Sequence, residues 1–500
     1  MSGPRRYRIA AFIFLRLLGV VYLLAFGSLF TQILGLVGHD GILPARQYMD
    51  AARAWAAAGH VGLDRFRIVP TLCWFSASDA WLEGLCIGGV MLGGLLAVGI
   101  APLVATPLLW IAWLSLVVIC REFLLYQWDA LLLEAGFLAI FAAPTGWRDR
   151  LSESVNPPRP AVWLFVWLLF RLILGSGLVK LASGDPTWRS LTALTYHYET
   201  QPIPTPVAWY AHHLPYSFNK ASTAATLAIE LAPLFIFGGP KLRGTACGLF
   251  VALQALVALT GNYAFFNLLT VALCVFLIDD EMWRKVRLKP SFDRLGADAT
   301  YRGGQADPQT VRRALVTGVA AVIFPVSALA FTSSLGLPLP GWQLVAPIYE
   351  AVAPFRSINS YGLFAVMTTT RLEIVVEGSN DGADWLPYEF RYKPGDVRRR
   401  PPWVAPHQPR LDWQMWFAAL GSYEDQAWFQ LFCQRLLAGS PDVLRLLARD
   451  PFQGRPPRHV RAVLYRYRLS DRETRRTTGA WWTRERIGDY SPVLSADRSQ

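Results

Sequence analysis

Residues 8–36 read RIAAFIFLRLLGVVYLLAFGSLFTQILGL, and Arg8 and Arg16 are their only charged side chains. A helix that crosses a bilayer needs about 20 largely apolar residues, so this stretch is long enough to span one. Its apolar part is too long for the core of a signal peptide, and no small-residue cleavage site closes it. We therefore expect it to remain as a membrane anchor.

Further apolar stretches repeat this pattern up to residue 335. Together with the first they predict about nine transmembrane helices, at residues 8–36, 80–100, 104–120, 123–143, 161–182, 221–238, 242–260, 262–279 and 314–334. The composition agrees, because only 17% of the residues are charged, against about 25% in soluble domains. A wholly soluble enzyme, a disordered chain and a fibrous protein are thereby excluded.

The distribution of Lys and Arg predicts the orientation in the membrane. Basic residues precede the first span and recur in the connections 147–160, 238–244 and 279–313. Connections rich in Lys and Arg face the cytoplasm, which leaves the loops 38–79 and 183–220 and the C-terminal part outside. This distribution explains the net charge of +12, so no nucleic-acid partner is expected.

Residues 336–500 differ in character from residues 1–335 and predict a separate C-terminal extracytoplasmic domain. The segments 364–378 and 385–392 read as strands joined by a turn at 379–382, and 459–470 reads as a further strand. Segments 411–420, 423–438 and 441–448 read as helices, and roughly the last twenty residues are expected to be frayed. The prediction is a polytopic α-helical membrane protein with a C-terminal soluble α+β domain containing a β-sheet.

Five ionisable residues fall within the predicted spans: Arg16, Asp129, Glu134, Arg171 and Glu230. Charges at membrane depth are costly, so each is a functional hypothesis. We expect an internal ion-pair network in which each carboxylate finds an arginine and locks the bundle. A proton or ion path is the alternative.

The loop 183–220 is dense in aromatic and histidine side chains, including Tyr198 beside Glu199. A membrane–water interface selects such residues, and a ligand or partner site is the other interpretation. His197, His212 and His213 lack a compact ligand spacing, so no metal is expected. Lys180 and His197 are weak catalytic candidates, because a desolvated lysine can act as a base. The sequence contains no GxSxG, P-loop or GxGxxG motif.

A second candidate partner site lies in the C-terminal domain at 406–420. Trp413, Trp416, Phe417 and Leu420 follow helical spacing on one face. The expectation is that Trp416 and Phe417 pack inward. His407, Arg410 and the segment 398–400 would then form a surface offered to a client or to the loop 183–220, with Trp413 beside it.

Several long motifs resemble the lipase maturation factor family. They include FLLYQWDALLLE at 123–134, YHYETQP within 191–214, LTGNY at 259–263, YGLFAVMTT at 361–369 and PHQPRLDWQMWFAAL at 406–420, with a further block at 176–188. The resemblance covers nearly the whole chain, roughly residues 8–470.

This resemblance implies a multi-pass membrane protein that helps lipases to fold, in the endoplasmic reticulum of animals. The sequence has no N-x-S/T sequon and no retention signal, which favours the bacterial inner membrane with a periplasmic C-terminal domain. Exported proteins are then the expected clients, with lipases suggested by the resemblance alone, and no cofactor is expected. The spans are also distantly similar to vitamin K-dependent carboxylases. This suggests an alternative, a membrane enzyme acting on a lipid- or quinone-type substrate with Lys180 and the loop 197–213 at its site.

Overall fold

Seven membrane-length helices form the N-terminal part of the computed structural model, which describes residues 5–152, 156–285, 308–337 and 340–495. Each is apolar enough to cross a bilayer by length and composition. They are Arg8–Phe30, Asp79–Val98, Pro102–Leu124, Arg159–Ala182, Tyr216–Phe237, Pro240–Thr260 and Thr310–Ser334. The polytopic helical class predicted from the sequence is confirmed.

Two of the nine predicted spans are shorter helices, so the predicted count differs from the structure. Gln127–Ala142 has 16 residues, which is about 24 Å at 1.5 Å per residue. Phe266–Cys274 continues as a 3₁₀ turn, Val275–Leu277. Both are shorter than the hydrocarbon core, which is about 30 Å thick.

The two short helices nevertheless run between the same two ends of the bundle as the long ones. Asp129, at the start of the first, contacts the C-terminal domain, and the carbonyl of Ala143 just beyond it accepts a bond from Arg312 at the other end. Asn262, before the second, also contacts the C-terminal domain, whereas Asp280 after it accepts from the amide of Ile9. The chain therefore passes nine times between these ends within the described residues.

Short helices lie in the connections. They are Ile33–Val37, Ala45–Ala58, Arg65–Ile68, Pro186–Arg189, Ala193–Thr200, Pro206–His212, Asp280–Lys285 and Trp342–Val352. Asp185 caps Pro186–Arg189 by accepting from the amide of Thr187 at 2.7 Å, as its position before a proline at the first helical residue favours.

The C-terminal domain is built on an antiparallel sheet. Its strands are β1 Arg371–Ser379, β2 Leu386–Pro387, β3 Glu389–Phe390, β4 Leu447–Arg449, β5 His459–Leu469, β6 Trp482–Asp489 and β7 Leu494–Ser495. The main sheet has the order β2-β1-β5-β6, with β7 also paired to β5, while β3 and β4 form a separate pair. Four helices complete the domain: Arg410–Ala418, Ala427–Leu437, Pro441–Leu444 and Arg472–Thr478. The predicted α+β domain with a β-sheet is confirmed.

Some predicted elements of this domain are wrong in detail. The predicted strand 385–392 is divided between two sheets, because β2 pairs with β1 and β3 pairs with β4. Segment 441–448 ends as the strand β4 rather than as a helix. The residues expected to be frayed include β6, which is held in place by pairing with β5 and by the burial of Trp482.

Candidate functional site

The C-terminal domain is joined to the membrane bundle through a buried ion pair between Asp129 and Arg410. The two Nη atoms of Arg410 donate to the two carboxylate oxygens of Asp129 at 2.5 and 2.9 Å. Both side chains are almost fully buried, and the amide of Arg410 donates to Gln32 in the first connection. Bidentate pairs of this kind fix geometry as well as contributing energy. The surface position predicted for Arg410 is therefore wrong.

A second buried pair, Glu134 with Arg171, holds the segment that leads into the C-terminal domain. The hydroxyl of Tyr361 and the amide of Asn359 donate to Glu134 at 2.8 and 3.1 Å. The carbonyl of Asn359 accepts from Arg171 at 2.8 Å. Asn359 and Tyr361 thus enter the bundle, where both donate to Glu134 and Asn359 also accepts from Arg171.

The remaining charges in the spans do not join one network. Glu230 pairs with Lys180, whose Nζ lies 2.8 Å from each carboxylate oxygen and 3.0 Å from the carbonyl of Ser176. Arg16 pairs with Asp149, at the end of the bundle away from the C-terminal domain. The predicted network is thus resolved into separate pairs, and the expected arginine partner of Glu230 is a lysine.

The loop 183–220 packs against the main sheet of the C-terminal domain. The guanidinium of Arg371, on β1, donates to the carbonyls of Glu199, Gln201 and Pro202 at 2.5–2.8 Å. Its charge is balanced by Glu373, which also pairs with Lys393. Arg371 is 1% exposed, so the backbone of the loop is fixed by a buried cation.

The predicted partner residues of this loop lie inside the junction. The carboxylate of Glu199 accepts from the amide of Leu469, the last residue of β5, at 2.8 Å. Burial raises the pKa of Glu199, and the bond from Leu469 opposes that rise. Tyr198 is 9% exposed and the side chain of Glu199 is 16% exposed, so Tyr198 is buried and Glu199 is mostly buried.

His197 faces aromatic groups. Its Nε2 lies 3.2 Å from the hydroxyl of Tyr263, which donates to Gln201 at 2.9 Å. Burial, and then the charge of Lys180, lower the pKa of His197 to about 4. His212 lies near His213, with ring centroids 5.2 Å apart. Among the described residues no group of three His, Cys, Asp or Glu side chains is arranged to hold a metal.

The aromatic stripe at 413–420 departs from the prediction at two of its residues, Trp413 and Phe417. Trp413 is 3% exposed and packs edge-on against Trp128, with ring centroids 4.8 Å apart. Trp416 is buried as predicted and donates to the carbonyl of Thr200. Phe417 is 41% exposed and Leu420 is 48% exposed, so the inward position predicted for Phe417 is wrong.

His407 is also part of the junction. Its Nδ1 lies 2.9 Å from the hydroxyl of Ser28 in the first membrane helix. Burial lowers the pKa of His407 to about 4, and the charges of Arg410 and Arg391 act in the same direction. The candidates His407, Arg410 and Trp413 are thus brought together, but as contacts between the two domains.

An exposed basic surface lies where the loop 183–220 meets β6. The guanidinium of Arg475 lies 3.6 Å from the ring centroid of Trp481 and 4.2 Å from that of Trp209. Arg400 stacks on Trp481 at 5.7 Å, and Arg472 donates to the carbonyl of His213. We call this surface the arginine corner and define it by four residues: Arg400, Arg472, Arg475 and Arg476.

Most of the arginine corner was not predicted from the sequence, and neither were the roles of Arg371, Asn359 and Tyr361. Only Arg400 was within a predicted surface. The adjacent Trp481 and Trp482 were a usable signal, because large aromatic residues are seldom placed in a frayed terminus. Nothing in the sequence pattern of β1 marks Arg371 as buried.

Two protein-family models match the chain. The lipase maturation factor transmembrane domain matches residues 9–285, and the lipase maturation factor C-terminal domain matches residues 357–492. Lipase maturation factor 2 of Gallus gallus is 37% identical, with 98% of this chain and 82% of the relative aligned. The corresponding values are 37%, 99% and 83% for lipase maturation factor 2 of Homo sapiens, and 36%, 98% and 91% for lipase maturation factor 1 of Bos taurus. No solved structure matches the chain.

Proposed function

The chain belongs to the lipase maturation factor family, and on this premise we propose that it is a membrane-embedded maturation factor for exported proteins, with lipases among its clients. The observation that carries the proposal is that the similarity includes both domains and nearly the whole chain. Similarity limited to the spans would indicate only a common way of being anchored in the membrane. Similarity in both the spans and the C-terminal domain supports a common function.

We infer that the C-terminal domain faces the periplasm of a bacterial inner membrane. The end of the bundle away from this domain carries many basic side chains: Arg5, Arg8, Arg16, Arg159, Lys241, Arg243, Arg284, Lys285, Arg312 and Arg313. Basic connections are retained on the cytoplasmic side. The absence of sequons agrees with a bacterial membrane.

The arginine corner is the surface we assign to the client. Arg400, Arg472 and Arg476 are exposed, and arginine is enriched at interface hot spots. Asp471 and Glu473 are the nearest acidic residues along the chain, and Asp471 is occupied in capping the helix Arg472–Thr478. The corner therefore presents a net positive charge, which fits an acidic face of a client protein.

The alternative function is a carboxylase-like membrane enzyme with Lys180 as its base. A base needs a free amine lone pair. The Nζ of Lys180 instead directs its three donors to the two oxygens of Glu230 and to the carbonyl of Ser176. These three contacts hold the amine in a buried ion pair with a structural role, so the maturation factor is the better supported function.

The experiment is to delete the gene and to measure the activity of exported proteins, lipases first. A plasmid copy of the full chain should restore lipase activity. The double variant Arg400→Glu/Arg476→Glu should accumulate normally but lower that activity by at least about tenfold, because like charges across an interface cost several kcal/mol. Undiminished lipase activity in the deletion strain would refute the lipase clients.

The matched control is Arg458→Glu. Arg458 is exposed and immediately precedes the first residue of β5, whereas most of the corner follows the last residue of this strand. The variant therefore reverses a charge on the same domain but away from the corner. It should restore activity fully. Equal loss in Arg458→Glu and in the corner variant would show that the corner is not the client surface.

A further inference from the structure

A cavity of about 250 Å³ opens at the end of the bundle away from the C-terminal domain. Its walls come from the start of the chain, the start of the helix Arg159–Ala182, and the hairpin that joins Tyr216–Phe237 to Pro240–Thr260. None of the charge pairs at the junction reaches it. This cavity is therefore independent of the proposed client surface.

The charged residues that line the cavity are all arginines: Arg5, Arg159 and Arg243. Within the described residues its lining includes no carboxylate. Arg5 and Arg159 are exposed at the mouth. Three guanidinium groups around one cavity make a site for an anion with several oxygen acceptors, because each guanidinium can donate two parallel hydrogen bonds.

The hydrogen bonding of Arg243 is a second observation, separate from the charge of the lining, that indicates a ligand. It is 3% exposed, and its Nη2 donates to the carbonyl of Phe276 at 3.3 Å. Its Nη1 forms an ion pair with Asp279 at 3.8 Å, which is beyond hydrogen-bond distance, and has no hydrogen-bond partner among the described residues. Buried donors are normally satisfied, so a bound acceptor at this position would complete the site.

The remainder of the cavity is apolar and continues onto the surface of the bundle. Trp163 and Phe237 stack with ring centroids 6.5 Å apart and are 59% and 52% exposed. Tryptophan is enriched at the level of lipid head groups. An anion-binding mouth above an exposed apolar wall fits a molecule with a charged head and a hydrocarbon tail.

We propose that this cavity binds the phosphate head group of an anionic phospholipid, with its acyl chains along Trp163 and Phe237. Basic pockets between transmembrane helices on the cytoplasmic side are suited to such head groups. The recognised group is a phosphate ester without a neighbouring cation, since the described lining has three arginines and no carboxylate to accept the choline group of a zwitterionic lipid. The acyl chains distinguish a lipid from free phosphate. The bound lipid would fasten the start of the chain to the neighbouring helices.

The test uses the purified full chain in a non-ionic detergent, titrated with dioleoylphosphatidylglycerol, dioleoylphosphatidylcholine or inorganic phosphate. Thermal unfolding and native mass spectrometry report binding. Phosphatidylglycerol should raise the unfolding temperature, and the two other additives should not. Stabilisation by phosphatidylcholine to the same extent, or by inorganic phosphate to the same extent, would overturn the assignment.

The variant for this test is Arg5→Ala/Arg159→Ala, because both side chains are exposed and the fold does not depend on their burial. Its Kd for phosphatidylglycerol should rise by at least about tenfold, because each lost arginine removes charge-assisted hydrogen bonds to the phosphate. The control Lys285→Ala/Arg313→Ala removes the same charge outside the cavity and should leave the Kd unchanged. An equal rise of the Kd in both variants would show that binding depends only on the overall positive charge, and would refute the site.

Discussion

At the junction, buried carboxylates of the membrane bundle are compensated by residues of the C-terminal domain and of the segment that leads into it. Asp129 comes from a short membrane helix, and its charge is neutralised by Arg410 of the C-terminal domain. Glu134 is neutralised within the bundle by Arg171, but its second oxygen accepts from Tyr361 and Asn359. An ionised carboxylate needs this compensation in a low-dielectric interior.

Arg410→Ala should destabilise the protein strongly, because it leaves Asp129 charged and unpaired. Breaking a buried pair costs about 3–5 kcal/mol. The free energy of unfolding in detergent is the measurement. Arg466→Ala is the control, because the Arg466–Glu485 pair is exposed and such pairs contribute at most about 1 kcal/mol.

The double variant Asp129→Leu/Arg410→Met separates charge from packing. It removes both charges while keeping apolar volume, and such replacements are often neutral. It should recover most of the stability lost in Arg410→Ala. A destabilisation by Arg410→Ala no larger than that of the Arg466→Ala control would contradict the structural role of the pair.

Among the elements, the helix Arg410–Ala418 carries the aromatic contacts between the domains. Trp413 contacts Tyr126 and Trp128 at the start of the helix Gln127–Ala142, and Tyr263 just before the helix Phe266–Cys274. Phe417, one turn later, is partly exposed and touches only the edge of this cluster at Tyr126. The two residues therefore make a matched pair for mutation.

Trp413→Ala should destabilise the protein by about 3–5 kcal/mol, the usual range for an aromatic core truncation. Phe417→Ala should cost clearly less, because its side chain is 41% exposed. Denaturant unfolding of both variants provides the comparison, and limited proteolysis would show whether the C-terminal domain separates from the bundle. Comparable losses in the two variants would show that the aromatic contact is not centred on Trp413.

The sequence predicted the elements well where the pattern is long, and less well where distant segments meet. The apolar runs predicted the membrane helices because length and hydrophobicity are local properties. The strand 459–470 was predicted from its alternation and is observed as β5. The burial of Arg410 could not be predicted, because its partner Asp129 lies 281 positions earlier and an arginine beside a proline-rich turn is typical of a surface.

At the scale of the whole molecule, the two short helices decide the topology. If both cross the membrane with the seven long helices, residues 150 and 285 share one side, and residues 190 and 483 share the other. If only the seven long helices cross, residue 150 moves to the side of residue 483, and residue 190 to the side of residue 285. The contacts at the two ends of the bundle favour the first arrangement.

Cysteine labelling in intact cells tests this arrangement. The substitutions are Arg150→Cys, Ser190→Cys, Lys285→Cys and Thr483→Cys, all at exposed positions, while five of the six native cysteines are buried. A membrane-impermeant maleimide should label positions 190 and 483 and spare positions 150 and 285. Labelling of position 150 together with position 483 would show that Gln127–Ala142 does not cross.

The separation of Asp129 and Arg410 in the sequence has a consequence for biosynthesis. The ribosome adds roughly 5–20 residues per second, so the 281 intervening positions take roughly 15–60 s at that rate. During this interval the carboxyl group has entered the membrane before its guanidinium partner exists. Until translation is nearly complete, the carboxyl group of Asp129 therefore needs other polar partners, such as water or the insertion machinery. A chain truncated before residue 410 never gains this partner, so its Asp129 stays without the compensation that the finished protein provides.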